Sequence, residues 1–519
     1  MATTAEIPAG LAETIARNAA RGETARATAS DGAFVRFILT VGIYAIPLLV
    51  TLRPVGTPIC DPDLWWHLRV GQWVYQHRAV PTTDPFSAFG QYKPWVAYSW
   101  LYELLVFGLH SALGLLGVVV YRAILALGVT AAVHRLVMRD RPAEVFGASL
   151  TAVCLLPLAM LFSERPWLFT ILFGTITLQV VLALRDGRST RAAWLLPVVF
   201  AVWANVHIQF VYGLALLGLA CTTPVIDRLL HGVDDGSVTA FGSPAWRKTV
   251  VLSFACLLAT FVNPYGPRLY AVVVEYATQS GPFQFVNELK APEFREPCDW
   301  VMLGLTVVAA FVLGRRRRLG SFEVLLLAGS AVLSFRSRRD LWLADLAACA
   351  ILSARPLGAS SGARAERWTV AGRTALAVSL LLLAVGVGLV RNLTPVQLQR
   401  TADGVFPAAA ARFVADHGYQ GPLFNDFNWG GYLIFALPAL PVAIDGRTNL
   451  HGDERILRYG SVWAGAPGWQ EDPDLRVANV VIANVQCPLA NLLAHDDRFE
   501  VVYEDELARV FVARAGPRP

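Results

Sequence analysis

Eleven apolar runs, separated by short polar connections, occupy the chain between residues 34 and 390: 34–52, 115–137, 144–162, 167–184, 193–206, 208–224, 249–263, 300–314, 321–335, 340–354 and 368–390. Each reads as a membrane-spanning helix. Several are shorter than the roughly 20 residues a straight span needs, so the expected count is about eleven. The stretch 95–113 (WVAYSWLYELLVFGLHSAL) would break the alternation of loop charge if it spanned, and reads as an interfacial or re-entrant helix. Residues 1–33 are rich in Ala, Thr and Arg without apolar periodicity and read as a cytoplasmic segment. The run 34–52 lacks a small-residue cleavage site and reads as a retained signal anchor.

After Val390 the hydropathy collapses, and 391–519 reads as a soluble α/β domain outside the membrane. "FPAAAARFVADHG" predicts a helix that closes at Gly418. "PVAIDG", "ANVVIANV", "FEVVYED" and "ARVFVAR" predict short strands. The expected fold is a polytopic α-helical membrane domain, 34–390, with an outer loop 53–114 and an extracytoplasmic α/β domain, 391–519.

Composition supports this. The chain is 55% hydrophobic and 16% charged, whereas soluble proteins carry about a quarter charged residues. The net charge is only +5, and the arginines sit in short clusters between apolar runs, which reads as orientation signal and not as a nucleic-acid surface. With the N-terminus inside, the cytoplasmic connections hold Arg139 and Arg141, then Arg185, Arg188 and Arg191, then Arg247 and Lys248, Arg315 to Arg318, and finally Arg355, Arg364 and Arg367. This orientation in a plasma or inner membrane puts the C-terminal domain outside. Seven scattered cysteines without a CxxC pair imply no disulfide framework.

The outer connections differ chemically. They hold Asp61, Asp63, His67 and Arg69; Glu164 and Arg165; Asn205 and His207; Asn263, Tyr265 and Arg268; Asn287 and Glu288; and Arg336, Arg338, Arg339 and Asp340. In "CDPDLWWHLRVGQWV", Leu64, Trp65, Leu68 and Trp73 are expected against the membrane interface, with Asp63, His67 and Arg69 facing a cavity. Two carboxylates one residue apart can share a divalent cation, Mg2+ or Mn2+, or one can act as a general base on a hydroxyl. They can equally cap the helix that starts near Leu64. Arg336, Arg338 and Arg339 defy the orientation rule, which suits an anion held at the outer leaflet, since guanidinium groups bind phosphate well. Arg122 stands inside a predicted span, where a charge needs a partner or water. It is a candidate for a lipid phosphate or for an ion pair with Glu103. His207 reads as a ligand, a proton carrier or a hydrogen-bonded core histidine. In "NPYGPRLY", chiefly a turn, Arg268 is a candidate substrate contact. Asp445, Arg447 and Asp453 close a predicted strand, a common binding position, though a structural turn fits as well. No Walker loop, HExxH, GxSxG or zinc-spaced cluster occurs.

An acidic pair in the first outer loop, an interfacial helix, many spans and a soluble outer C-terminal domain together resemble the GT-C superfamily of membrane glycosyltransferases, such as protein mannosyltransferases and aminoarabinose transferases. "DPDLWWHL", "VPTTDPFS", "WANVH", "NPYG", "GGYLIF" and "IDGRTNLHGDE" are similar to a group of bacterial membrane proteins of unassigned activity. The chain shows DPD where the mannosyltransferases have Asp-Glu, and lacks their His-Pro-Pro-Leu stretch.

The resemblance implies a glycosyltransferase that moves a sugar from a polyprenyl-phosphate donor to an extracytoplasmic acceptor, whether glycan, lipid or protein. Membrane lipid would be a further partner. Asp61, Asp63 and His67 would be catalytic, with Asp61 and Asp63 also the candidate metal ligands. Arg122, Arg336, Arg338 and Arg339 would hold the donor phosphate. Arg69, Glu164, Arg165, His207, Arg268, Asp445 and Arg447 would contact substrate. A transporter or flippase of lipid-linked substrates would line a pathway with the same charges, but predicts inverted repeats, and none is found. A third reading is a non-catalytic envelope assembly factor.

Overall fold

Apolar runs become helices because a backbone surrounded by lipid must pair its polar groups within its own segment. The computed structural model describes residues 32–52, 61–91, 93–140, 143–188, 191–231, 240–316, 320–354 and 368–514. The expectations placed on residues 1–31, Cys60, Arg141, Arg317, Arg318, Arg355, Arg364 and Arg367 lie outside the described residues.

The chain opens with α1 (Gly32–Thr51), α2 (Asp63–His77) and α3 (Trp100–Leu113). Then come α4 (Leu115–Val137), α5 (Glu144–Leu158), α6 (Trp167–Arg185), α7 (Leu196–Val206), α8 (Phe210–His231) and α9 (Pro244–Ala259). The short α10 (Arg268–Thr278) and α11 (Pro282–Phe285) precede α12 (Pro297–Gly314), α13 (Ser321–Arg336), α14 (Leu341–Leu352) and α15 (Val370–Val390). All eleven predicted runs fall on helices. Seven of them (α1, α4, α5, α6, α8, α12 and α15) are long and apolar enough to cross a membrane. The other four, α7, α9, α13 and α14, have 11, 16, 16 and 12 residues and fall short of a straight span. They pack on each other and on longer helices: α7 on α9, α13 on α14 and α8. No residue of α15 is buried, and Leu381, Leu382 and Leu389 are largely exposed. An apolar helix of this kind needs lipid around it, and the chain is an integral, multi-pass membrane protein.

The C-terminal domain comprises α16 (Pro395–Asp403), α17 (Ala408–Asp416), β1 (Leu423–Asn425), α18 (Gly430–Ala436), α19 (Thr448–Trp463), α20 (Pro473–Val477), β2 (Val480–Asn484), α21 (Pro488–Leu493), β3 (Phe499–Glu504) and β4 (Ala508–Ala513). The sheet order is β1-β2-β4-β3, with β1 and β2 parallel and the other pairs antiparallel. Strand alternation splits its apolar side chains between two layers. Val480, Ile482 and Val510 join the core shared with the membrane domain, while Val481, Ala483 and Phe511 join Tyr459, Trp463 and Leu489 on the far face. Three of the four predicted strands form. "PVAIDG" does not, although it is buried. Val442 bridges Ser87 of the outer loop, and the Asn425 side chain bonds Ala443 N and Ile444 O, so the segment has no strand neighbour.

Trp65 is not at the membrane interface, contrary to expectation. Its ring lies 5.5 Å from Phe406, 5.0 Å from Tyr432 and 5.3 Å from Phe435, so α2 is plugged into the outer domain. Two glycines permit this docking. A Cβ at Gly431 would strike the Pro62 carbonyl, and one at Gly446 would overlap the Asp63 carboxylate.

A buried ion cluster completes the junction. Arg447 donates from Nη1 to Asp84 of the outer loop at 2.6 Å, and from Nε and Nη2 to Asp445 at 2.8 and 2.7 Å. Burial alone would raise Asp445, but Arg447 and His451 hold it far below the usual carboxylate range. Replacing Arg447 by Met would leave two buried carboxylates without their cation. The expected cost is about 3–5 kcal/mol, read as a lowered unfolding temperature of the detergent-purified protein.

Candidate functional site

The "DPD" stretch is set by a local turn and a long-range guanidinium. Asp61 Oδ1 accepts the Asp63 N–H at 3.0 Å and starts α2, so the helix-start reading of the pair holds in part. Its other oxygen, Oδ2, accepts from Arg165 Nε, while Asp63 Oδ2 accepts from Arg165 Nη1. Arg165 comes from the link that enters α6. Its Nη2 lies 3.6 Å from Glu288 Oε1, and that oxygen also pairs with Arg339 Nη2. Both guanidinium groups lie 5.3 Å from the Trp167 ring, a cation–π distance. The connections before α2, α6, α12 and α14 thus meet in one network.

The network forms a wall of a cavity of about 700 Å3 at the junction of the two domains. Asp63, His67, Arg165, His207, Arg336 and Arg339 line it from the membrane domain, and Asp426, Asn428, Thr448, Tyr459 and Trp463 from the outer domain. Burial pushes Asp61 up to about 7 even though Arg165 opposes it, with Asp63 and Glu288 adding to the rise. Burial would also raise Glu288, but Arg165 and Arg339 outweigh it and leave this carboxyl below its ordinary value. His207 donates to or accepts from Thr170 Oγ1 at 2.7 Å, and burial plus the nearby arginines lower it to about 3. His67 Nδ1 faces Glu103 Oε1 at 3.1 Å. Burial lowers the histidine and raises the carboxyl, so it disfavours the charged form of both partners. The histidines in the wall are therefore uncharged at neutral pH, and the arginines carry the positive field.

Several predicted site residues lie elsewhere. Arg122 is buried and pairs with Glu164 at 3.1 Å and with the Thr51 carbonyl, so its partner is not Glu103 and it does not line the cavity. Glu164 is held in the same pair. Arg338 turns toward Asp299 at 3.5 Å. Arg69 donates to Gln72 at 2.7 Å instead of facing the cavity, and Arg268 is exposed at the start of α10. Asp445 and Arg447 belong to the buried junction, and Asp453 accepts from Ser280 at 2.8 Å. Glu288 had been noted only as an outer polar residue, and Trp167, Tyr276, Asp426 and Trp463 carried no signal beyond position.

A divalent cation shared by Asp61 and Asp63 does not fit this arrangement. The oxygens it would use grip Arg165, and among the described residues no three His, Cys, Asp or Glu side chains converge on a ligating centre.

No protein-family model and no curated protein sequence matches the chain. Solved structures do. The oligosaccharyltransferase of Archaeoglobus fulgidus, tethered to an acceptor peptide containing the NVT sequon, aligns with 86% of this chain and 69% of its own at 11% identity and a TM-score of 0.50. The same enzyme, AglB, in complex with an inhibitory peptide and a dolichol-phosphate aligns with the same values. The arabinofuranosyltransferase AftD from Mycobacteria aligns with 93% of this chain and 42% of its own at 16% identity and a TM-score of 0.48. This chain has the GT-C fold. Within that fold the cavity lies where α2 and the outer domain close on each other.

The raised Asp61 makes stability depend on pH. A carboxyl whose folded value exceeds its unfolded one contributes stability that is fully present below about 3.8 and lost as pH rises through about 7. The unfolding temperature of the wild type relative to Asp61→Asn should therefore rise from pH 8 to pH 5. A flat difference would contradict the assignment.

Proposed function

We propose that the protein is a glycosyltransferase that moves a sugar from a polyprenyl-phosphate donor to a hydroxyl-bearing acceptor on the outer face of the membrane. The observation that carries this reading is the cavity itself, in which carboxylates, Asp63 among them, and three guanidinium groups face a common space between apolar helices and a folded C-terminal domain. The GT-C fold supports it, as does the dolichol-phosphate bound by the archaeal oligosaccharyltransferase.

In this reading Arg336 and Arg339 hold the donor phosphate. Arg336 stacks on Phe283 at 4.8 Å and has no carboxylate partner among the described residues, so its donors are open to an anion. Asp63, which lines the cavity where Asp61 does not, accepts the proton of the acceptor hydroxyl. The acceptor oxygen bonds to the sugar's anomeric carbon as its bond to the donor phosphate breaks, and the polyprenyl phosphate leaves with the electron pair. The arginines stabilise the charge that develops on it. The isoprenoid tail stays in the bilayer, and Asp426 and Asn428 offer polar contacts to the acceptor from the outer domain. Arginine-rich connections on the opposite face support an extracytoplasmic position for this domain.

The direct test is mass spectrometry of lipid-linked sugars and surface glycans in cells with and without the gene. One donor should accumulate and one glycan should disappear. Asp63→Asn should abolish transfer without loss of expression, and undiminished product would sink the role given to Asp63. Arg336→Ala and Arg339→Ala each remove charge-assisted hydrogen bonds worth roughly 1.5–3 kcal/mol, so donor affinity or turnover should drop by about tenfold to a hundredfold. Lysine should restore only part, since it lacks the planar fork.

Orientation is tested separately. With the seven native cysteines removed, a cysteine replacing the exposed Asp497 should react with a membrane-impermeant thiol reagent in intact cells whose outer envelope admits it. Labelling only after lysis would put the domain in the cytoplasm.

A further inference from the structure

We infer that the Arg165 guanidinium is the resident cation of the Asp61–Asp63–Glu288 cluster, and that the cluster takes up no Mg2+ or Mn2+ while Arg165 is in place. The guanidinium presents one nitrogen to each carboxylate: Nε to Asp61, Nη1 to Asp63 and Nη2 toward Glu288 at 3.6 Å. A planar fork with fixed donor directions satisfies this three-sided arrangement in a way a flexible ammonium would not. Gly446 of the C-terminal domain packs closely against the Asp63 carboxylate, where even a Cβ would clash.

Displacing Arg165 would be costly. Its side chain is only 16% exposed, and it rests near the Trp167 ring, whose other cationic neighbour is Arg339. Moved aside, it would have to leave three carboxylates for a space already holding a like charge. A divalent ion would also need oxygen ligands at about 2.0–2.6 Å, and Oδ2 of each aspartate already accepts from the guanidinium, while Asp61 Oδ1 accepts the Asp63 N–H. Arg339 holds the shared oxygen of Glu288 from the other side, so the third carboxylate cannot swing freely toward a metal. Arg165 is thus a positioning residue: it orients both aspartates toward their neighbours and supplies charge that chelators cannot remove.

This inference needs no donor or acceptor for its test, so it can fail independently of the transferase reading. The full-length protein in detergent is titrated with Mn2+ alone, with binding followed by electron paramagnetic resonance and unfolding temperature read with Mn2+ and with EDTA. The wild type is expected to bind no Mn2+ at this site up to millimolar concentration and to keep its unfolding temperature in EDTA. Arg165→Ala, which frees three carboxylates, should gain Mn2+ affinity by at least tenfold, and Asp63→Asn in that background should remove the gain. Arg165→Lys should stay Mn2+-blind. Stoichiometric Mn2+ binding by the wild type that is lost in Asp63→Asn would overturn the inference. So would an Arg165→Ala protein that folds and gains nothing. If Arg165→Ala does not fold, the wild-type titration and its Asp63→Asn control still decide.

Discussion

Two carboxylates one residue apart can be buried beside a membrane domain only if a cation accompanies them, because desolvation and mutual repulsion both oppose their charge. Arg165 is that cation, and much of the site's architecture follows from where it must stand. To reach both Asp61 and Asp63 it has to come from the link entering α6, and the turn at Asp61 has to point both carboxylates the same way. Glu288 then balances the charge that Arg339 adds. The result joins four connections far apart in sequence. Each of them is short, so the geometry of the helices is transmitted directly to the charged groups.

The C-terminal domain closes over this network instead of hanging from the last span. Trp65, the first of the two tryptophans that follow the acidic pair, packs edge-on against the stacked rings of Phe406 and Tyr432. Trp66 lines the cavity and stacks on His67 with ring centres 3.6 Å apart. The same short helix therefore turns one aromatic toward the domain that covers the site and another toward the space that is covered. Arg447 locks this closure through Asp84, so the loop beyond α2 and the domain beyond α15 are held by one ion cluster.

The helices were legible because their apolar runs obey a single strong constraint, and all eleven runs fall on helices. Their lengths were less so: α7 and α14 are short because they pack on other helices, and hydropathy reports apolarity without saying whether protein or lipid supplies it. Asp63, His67, Arg165, His207, Arg336 and Arg339 stand out by their polarity in connections between apolar runs, and they do line one cavity, with Asp61 behind them on Arg165. Which of the remaining charges would join them was not legible. Arg122, Arg338 and Arg447 look alike in sequence, yet each is claimed by a carboxylate that only the fold brings near: Glu164, Asp299 and Asp84. Strand "PVAIDG" failed for a related reason, since burial without a neighbouring strand satisfies its backbone through Asn425 instead.

The outer arginines that run against the positive-inside rule have, for the most part, a local cause. Arg339 is balanced by Glu288, and Arg338 faces Asp299. Arg336 is different: it is exposed, lines the cavity, rests on the face of Phe283 and makes no salt bridge among the described residues. A guanidinium left in this state at the edge of a lipid-facing domain holds its strongest hydrogen-bonding capacity in reserve for an anion from outside the chain. Arg165 and Arg339 lie deeper and are already committed to carboxylates. The field in the cavity thus grades from an open cation at the rim to compensated pairs at the base.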